Sequence, residues 1–196
     1  MALRKARFMF VYPLALGLFL GVHQDDRSIH LGVWFVLAGE VLRLWAAGYV
    51  GHRKVNRTEH RRGEPKIGTL ITAGPYAYVR HPLYVGTFLI GLGFCLIARN
   101  LWFVLGALGC FLAIYPKKAA EEEHTIRGEW GEQFDAYRQR VRAWFPRLRP
   151  HPDRVGQWSW QGIYASQEAK TVVWLVVILT ALYLRGEWLL EHEPLR

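Results

Sequence analysis

Long apolar runs alternate with strongly charged stretches along this chain, a pattern that predicts membrane-spanning helices joined by water-facing segments. Arg4, Lys5 and Arg7 precede an apolar run over 8–22. A secretory leader starts the same way. Here no small-residue cleavage site follows, and the run gives way to His23-Gln24-Asp25-Asp26, so it reads as a first span with its amino end in the cytoplasm. Residues 29–50 are long enough for a second span. Glu40 and Arg43 lie within it, one helical turn apart. Charges inside a span are costly and mark functional candidates; a local Glu40–Arg43 pair, with Arg43 reaching back to the nearby surface, is the structural alternative. Residues 82–98 and 101–115 read as a hairpin turning at Arg99-Asn100, each arm about 22–26 Å long at helical rise. Gly86, Gly91 and Gly93 on its first arm permit close packing, and Gly17-x-x-x-Gly21 offers a weaker version of the same device. A last apolar run covers 171–184.

The charged stretches complete the layout. Residues 51–81 hold seven Lys/Arg against two acids, with Gly63, Gly68 and Gly74 as punctuation. The small residues of Gly68-Thr69-Leu70-Ile71-Thr72-Ala73-Gly74 let backbone approach a ligand closely. From Pro116 the character changes: 117–142 is rich in both signs, and Ile126, Trp130, Phe134, Tyr137 and Val141 form a stripe at helical spacing. Residues 147–170 read as a basic, irregular, interfacial stretch, and Glu187, Glu191 and Glu193 lie in the tail. Segments 1–7, 51–81 and 116–170 hold 20 of the 25 Lys/Arg. The expected fold is therefore all-α: a multi-pass integral membrane protein with about five spans, amino end inside and carboxyl end outside, and a cytoplasmic ligand-binding subdomain.

Composition narrows the function classes. At 196 residues one domain is expected, and a net charge of +9 accompanies 52% hydrophobic residues and nine Trp. Nucleic-acid binding would account for the charge but leaves the apolar runs unexplained, so membrane lipids are the expected surroundings and nucleic acid is not an expected partner. Nothing in the sequence points to an obligate protein partner. Cys95 and Cys110 sit on opposite arms of the hairpin at depths differing by roughly 9 Å, which argues against a disulfide between them. No Cys/His cluster has metal-ligand spacing, and His52 and His60 flank a basic loop as solvated side chains. No Gly-x-Gly-x-x-Gly follows a strand, so a Rossmann-type nucleotide site is not expected.

Two ordered motifs carry the chemistry. Gly74-Pro75-Tyr76 is followed by Arg80-His81-Pro82-x-Tyr84-x-Gly86, at the point where the basic segment turns apolar. Pro82 suits the first position of a helix, where its missing N–H costs nothing, and the tyrosines suit a membrane boundary. About thirty-five residues on comes Glu122-Glu123-x-x-Ile126-x-x-x-Trp130-Gly131-x-x-Phe134-x-x-Tyr137, then Arg140 and Phe145-Pro146. Together these motifs resemble the isoprenylcysteine carboxyl methyltransferase family and the related membrane phospholipid methyltransferases. The resemblance covers roughly residues 40–147 of a single domain spanning 1–196, and leaves the helix at about 171–185 as an addition.

The resemblance implies S-adenosylmethionine as cofactor and a lipophilic or lipidated acceptor, with the active site facing the cytoplasm. It implies a cofactor pocket lined by Gly68, Thr69, Leu70, Ile71, Tyr76, His81, Pro82, Leu83 and Tyr84, with Glu122 meeting the cofactor ammonium. Arg80 is a candidate either to pair with the cofactor carboxylate or to hold the loop. Glu123 lies about 100° from Glu122 around a helix, so one acid of the pair is expected to brace Arg140 or a loop arginine. Arg80, His81, Glu123 and Arg140 are the candidate catalytic residues, and Trp130 and Tyr137 are expected to pack. Lys118 stands where the family has an arginine on the substrate carboxylate; it keeps the charge and loses the bidentate fork. Glu40 and Lys118 are candidate substrate contacts.

Carboxyl O-methylation of an isoprenylcysteine-like molecule is the expected reaction. A carboxylate arrives ionised and needs orientation; phosphatidylethanolamine N-methylation, the alternative, needs an amine deprotonated, with His81 or Glu123 as candidate base. A sterol-reductase-like enzyme would use the basic loop 53–62 to hold the extra phosphate of NADPH. A non-enzyme would use both motifs only for packing.

Overall fold

The computed structural model describes residues 26–50, 69–166 and 168–192. The described residues form helices α1 (Asp26–Val50), α2 (Pro82–Ala98), α3 (Leu101–Trp130), α4 (Glu132–Arg140), α5 (Trp160–Ser166) and α6 (Glu168–His192), with a 3-10 turn at Gly74–Ala77 and no strand among them. The expected span at 8–22, the basic loop 51–67, His52, His60 and Gly68 lie outside the described residues. Two helices, Arg27–Val50 and Leu101–Trp130, are long and apolar enough to cross a membrane, and Pro82–Ala98 is a shorter apolar helix.

Glycine sets the approach of α1 and α2, which pack antiparallel. A Cβ on Gly32 would stand 2.5 Å from the Gly93 carbonyl oxygen, and one on Gly39 2.6 Å from that of Gly86. Two glycines on each helix, seven residues apart, thus let the backbones touch, the main way apolar helices gain contact where lipid is as apolar as the partner. Gly86 and Gly93 perform the packing role expected of them.

The α2–α3 hairpin turns where the sequence indicates. Arg99 closes α2 in the left-handed region (φ 47°), and the Asn100 side chain accepts from the N–H groups of Trp102 (3.0 Å) and Phe103 (3.3 Å) at the start of α3. Across the hairpin Phe88 meets Phe111 (ring centroids 5.0 Å) and Tyr84 meets Tyr115 (5.1 Å). Cys95 and Cys110 are both free, the first buried and the second exposed.

The change of composition at Pro116 is not a change of element. Pro116 lies inside a continuous α3 of 30 residues, so the apolar arm runs directly into the charged segment and carries Glu122 on the same rod. The break falls at Gly131, whose φ of 49° favours glycine and starts α4. The stripe expected as one helix is split there. Phe134, Tyr137 and Val141 still bury together with Leu70, against Ile126 and Trp130.

The segment expected to be irregular after α4 is a strap bonded to the polypeptide before α2. Arg80 N–H donates to Arg142 O (2.9 Å), His81 N–H to Ala143 O (3.2 Å), Arg147 N–H to Tyr78 O (3.0 Å), His151 N–H to Ala77 O (2.9 Å) and Thr72 N–H to Val155 O (2.9 Å). Buried backbone groups need partners, and here two loops supply them to each other.

Arg43 does not reach back to a surface. It is 3% exposed and donates to both carboxylate oxygens of Glu168 at 2.9 and 2.7 Å, to Leu83 O at 3.1 Å and to the Thr87 hydroxyl, with Glu40 3.7 Å away. This pairing joins α1, α2 and the first turn of α6, whose Leu175, Ile178 and Leu182 enter the main core beside Ile90 and Phe94. Breaking such a pair leaves a buried charge uncompensated. Glu168→Ala is expected to lower stability by about 3–5 kcal/mol, with Glu168→Gln losing less, as measured by denaturation in detergent; an unchanged midpoint for Glu168→Ala would contradict this role.

Candidate functional site

A cleft open to solvent lies where the loop before α2, the charged half of α3 and α4 meet. Leu70, Ile71 and Tyr76 wall it from the loop, and Arg80, His81, Pro82, Leu83 and Tyr84 from the entry to α2. Glu122, Glu123 and Ile126 wall it from α3, Phe134 and Tyr137 from α4, and Val50 from the end of α1.

The local sequence explains the positions. Pro75 opens the 3-10 turn and Pro82 opens α2, so the residues between them are held as a short rigid bridge. Tyr137 fastens the bridge to α4, its hydroxyl donating to Tyr76 O at 2.7 Å. Burial pushes the hydroxyls of Tyr76 and Tyr137 up from their ordinary range, so both remain neutral donors.

The polar wall is built on His81. Its Nε2 is 2.9 Å from Glu123 Oε1, and its Nδ1 is 3.4 Å from Glu122 Oε2. The imidazole thus lies between adjacent carboxylates that the helix splays apart, and only its doubly protonated form donates to both. Burial alone would lower the His81 pKa; the hydrogen bonds and charges of Glu122 and Glu123 outweigh burial and hold it above the ordinary 6.5. For Glu123 burial acts upward, but His81 and Arg80 dominate and hold its pKa down.

The two acids have different surroundings. Glu123 receives Arg80 Nε at 2.9 Å and Arg138 Nε at 3.4 Å besides His81. Arg80 also donates to Arg138 O (2.9 Å) and Val141 O (2.6 Å). Of the two roles open to Arg80, holding the loop is the one these bonds perform, and Glu123 is the acid that braces a loop arginine. Glu122 has, among the described residues, the 3.4 Å approach to His81 as its ion pair, and it faces the cleft.

Eight of the expected pocket residues line the cleft: Leu70, Ile71, Tyr76, His81, Pro82, Leu83, Tyr84 and Glu122. Thr69 is exposed beside them. Arg140 is not on the lining; it points to Asp153 at 3.5 Å and its carbonyl accepts from Arg147. Lys118 lies one turn before Glu122 on α3, off the lining, and burial lowers its pKa against the opposing effect of Glu121 and Glu122. Glu40 is buried next to Arg43, also off the lining.

Several contributors were not singled out for the site from the sequence. Val50, Ile126, Phe134 and Tyr137 complete the walls; the helical stripe was the available signal for the last three, and it was read as packing. Trp144 from the strap lies off the lining but packs behind it, near His81 (5.7 Å) and Tyr84 (6.2 Å), and reaches Phe111 (6.0 Å) in the apolar core. No periodicity marks it.

Because the His81 pKa is raised on folding, its contribution to stability is complete below pH 6.5 and is lost as pH rises through the folded-state pKa. Thermal unfolding of the ligand-free protein is expected to show a falling Tm above pH 6.5, and His81→Gln to flatten that fall. An identical pH slope in the variant would contradict a cationic His81.

The chain matches the phospholipid methyltransferase family over residues 28–128. It is 37% identical over 120 residues to a nickel-cobalt-cadmium resistance protein of Alcaligenes xylosoxydans xylosoxydans, covering 60% of this chain and 49% of that protein. It is 35% identical over 128 residues to a cobalt-zinc-cadmium resistance protein of Cupriavidus metallidurans (65% and 53%), and 28% identical over 119 residues to the protein-S-isoprenylcysteine O-methyltransferase of Xenopus laevis (61% and 41%). The chain spans about half the length of these first two curated relatives. No group of three or more potential metal-ligating side chains occurs among the described residues.

Proposed function

This chain belongs to the phospholipid methyltransferase family, and we propose that it is a membrane methyltransferase using S-adenosylmethionine, with the carboxylate of an isoprenylcysteine-like lipophile as first-choice acceptor. The observation that carries the reading is the division between two adjacent acids on one cleft wall: Glu123 is occupied by Arg80, His81 and Arg138, while Glu122 faces the cleft with only a long approach to His81 among the described residues. An acid so placed suits the ammonium of an amino-acid-like cofactor.

The residues fit the cofactor's chemistry. Tyr76, Tyr84, Phe134 and Tyr137 supply aromatic wall for an adenine and a sulfonium, and Glu122 supplies the counter-charge. When bound, S-adenosylmethionine supplies an electrophilic methyl group. The rest of the work is positioning and exclusion of water. Arg80 and Glu123 lock the bridge between the two prolines, and Trp144 packs behind His81 and Tyr84. Both ring nitrogens of His81 are taken up by carboxylates, which leaves it poorly placed to accept a proton and favours an acceptor that is already ionised over an amine that must be deprotonated. Lys118, one turn from Glu122, is the candidate cation for the acceptor's carboxylate. The cytoplasmic face of the membrane remains the side proposed for the cleft, on the charge asymmetry of the chain.

Phospholipid N-methylation is the second reading, favoured by the family's description. Transfer of labelled methyl groups in detergent–lipid micelles separates the two. An N-acetyl farnesylcysteine acceptor is expected to be methylated with phosphatidylethanolamine inert, and Glu122→Gln to raise the cofactor KM on the order of tenfold or more, the weight of a charge-assisted hydrogen bond. Labelling of phosphatidylethanolamine alone would select the second reading, and transfer to neither acceptor would overturn the first.

A further inference from the structure

The strap after α4 carries a surface that the cleft does not use. Between Arg138 and Arg149 lie five arginines, and no acid occurs from residue 136 to 152. Arg140 is engaged by Asp153, and Arg138 by Glu123. Arg142 and Arg149 are exposed, and Arg147 sits between them, held through Arg140 O. Among these cations Phe145 is 74% exposed and Leu148 fully exposed, with Pro146 between them. Two bare apolar side chains ringed by arginine suit neither open water nor an apolar protein interface, whose core is depleted of charge.

The depth of this surface is set by its neighbours. Ala143 accepts from the His81 N–H, one residue before α2, and Trp144 packs on Tyr84 in the first turn of α2 and on Phe111 in the apolar half of α3. The strap is therefore pinned at the level where apolar helices leave the membrane. Side chains that turn outward from that level meet headgroups and the upper acyl chains, and arginines there attract anionic lipid.

We propose that residues 142–149 dock on the anionic lipids of the adjoining leaflet, with Arg142, Arg147 and Arg149 on headgroup phosphates and Phe145 and Leu148 inserted beneath them. The strap also supplies Trp144 and the backbone partners of Arg80 and His81, so a lipid-seated strap would steady the cleft's inner wall. The inference depends on the chain spanning a membrane and not on which acceptor is methylated.

The test uses the full chain in nanodiscs of phosphatidylcholine, with and without phosphatidylglycerol. A nitroxide is attached at Leu148→Cys in a background lacking Cys95 and Cys110, and Phe145→Cys gives a second position. Collisions with oxygen (membrane-soluble) and a nickel chelate (water-soluble) report depth. In discs containing phosphatidylglycerol the label is expected to collide readily with oxygen and several-fold less with the chelate. Arg142→Gln with Arg149→Gln is expected to restore chelate collisions. Chelate access in both kinds of disc would overturn the proposal. So would shielding from both reagents, which would mean that residues 1–25 or a second copy cover the strap, or a depth indifferent to phosphatidylglycerol.

Discussion

The site depends on one half-buried carboxylate. Glu123 collects Arg80, His81 and Arg138, and through them ties the bridge before α2 to α3 and to the end of α4. Arg80, His81 and Glu123 would each be costly to shield from water alone, and together they neutralise one another, with Arg138 at the exposed rim. With Arg80 also satisfying two backbone carbonyls, the cluster becomes a joint between the bridge, α3 and α4. Everything that the cleft needs in register follows from it: the imidazole is fixed, Tyr76 and Tyr84 are held opposite α3, and Glu122 is left facing inward. A second joint, Arg43 with Glu168, does the same for the helices, where both side chains are buried.

Continuity of α3 converts membrane position into site geometry. A break at Pro116 would have let the acids swing relative to the apolar helices. Instead the rod that packs Phe111 and Tyr115 against α2 also carries Glu122 and Glu123, so the α2–α3 hairpin fixes both sides of the cleft at once. The close contact of Gly32 with Gly93 and of Gly39 with Gly86 sets α1 against that hairpin and brings Val50 to the wall.

Much of this was legible in the chain, and the unread parts have a common cause. The hairpin turn, the glycine packing face, Pro82 as a helix start and most of the cleft lining follow from local pattern or from motif. Arg43 was misread because its partner lies 125 residues away, on a helix whose first turn looked like part of a basic loop. Residues 147–159 are irregular as expected, but their bonding to residues 72–81 is not legible, because neither segment has an alternation that announces pairing. At Pro116 a proline and a change of composition coincide with no break, the neighbouring packing outweighing local propensity. Arg140 illustrates the limit of motif transfer, since it follows the stripe in sequence yet faces Asp153 away from the cleft.

Glu122 as ligand contact and Glu123 as structural joint form the central claim, and calorimetry of S-adenosylhomocysteine binding, paired with thermal unfolding, addresses it directly. Wild type is expected to bind saturably. Glu122→Gln is expected to keep the wild-type Tm and lose affinity, whereas Glu123→Gln is expected to lose Tm first. Full affinity in Glu122→Gln, or a folded wild type that binds nothing, would contradict the account.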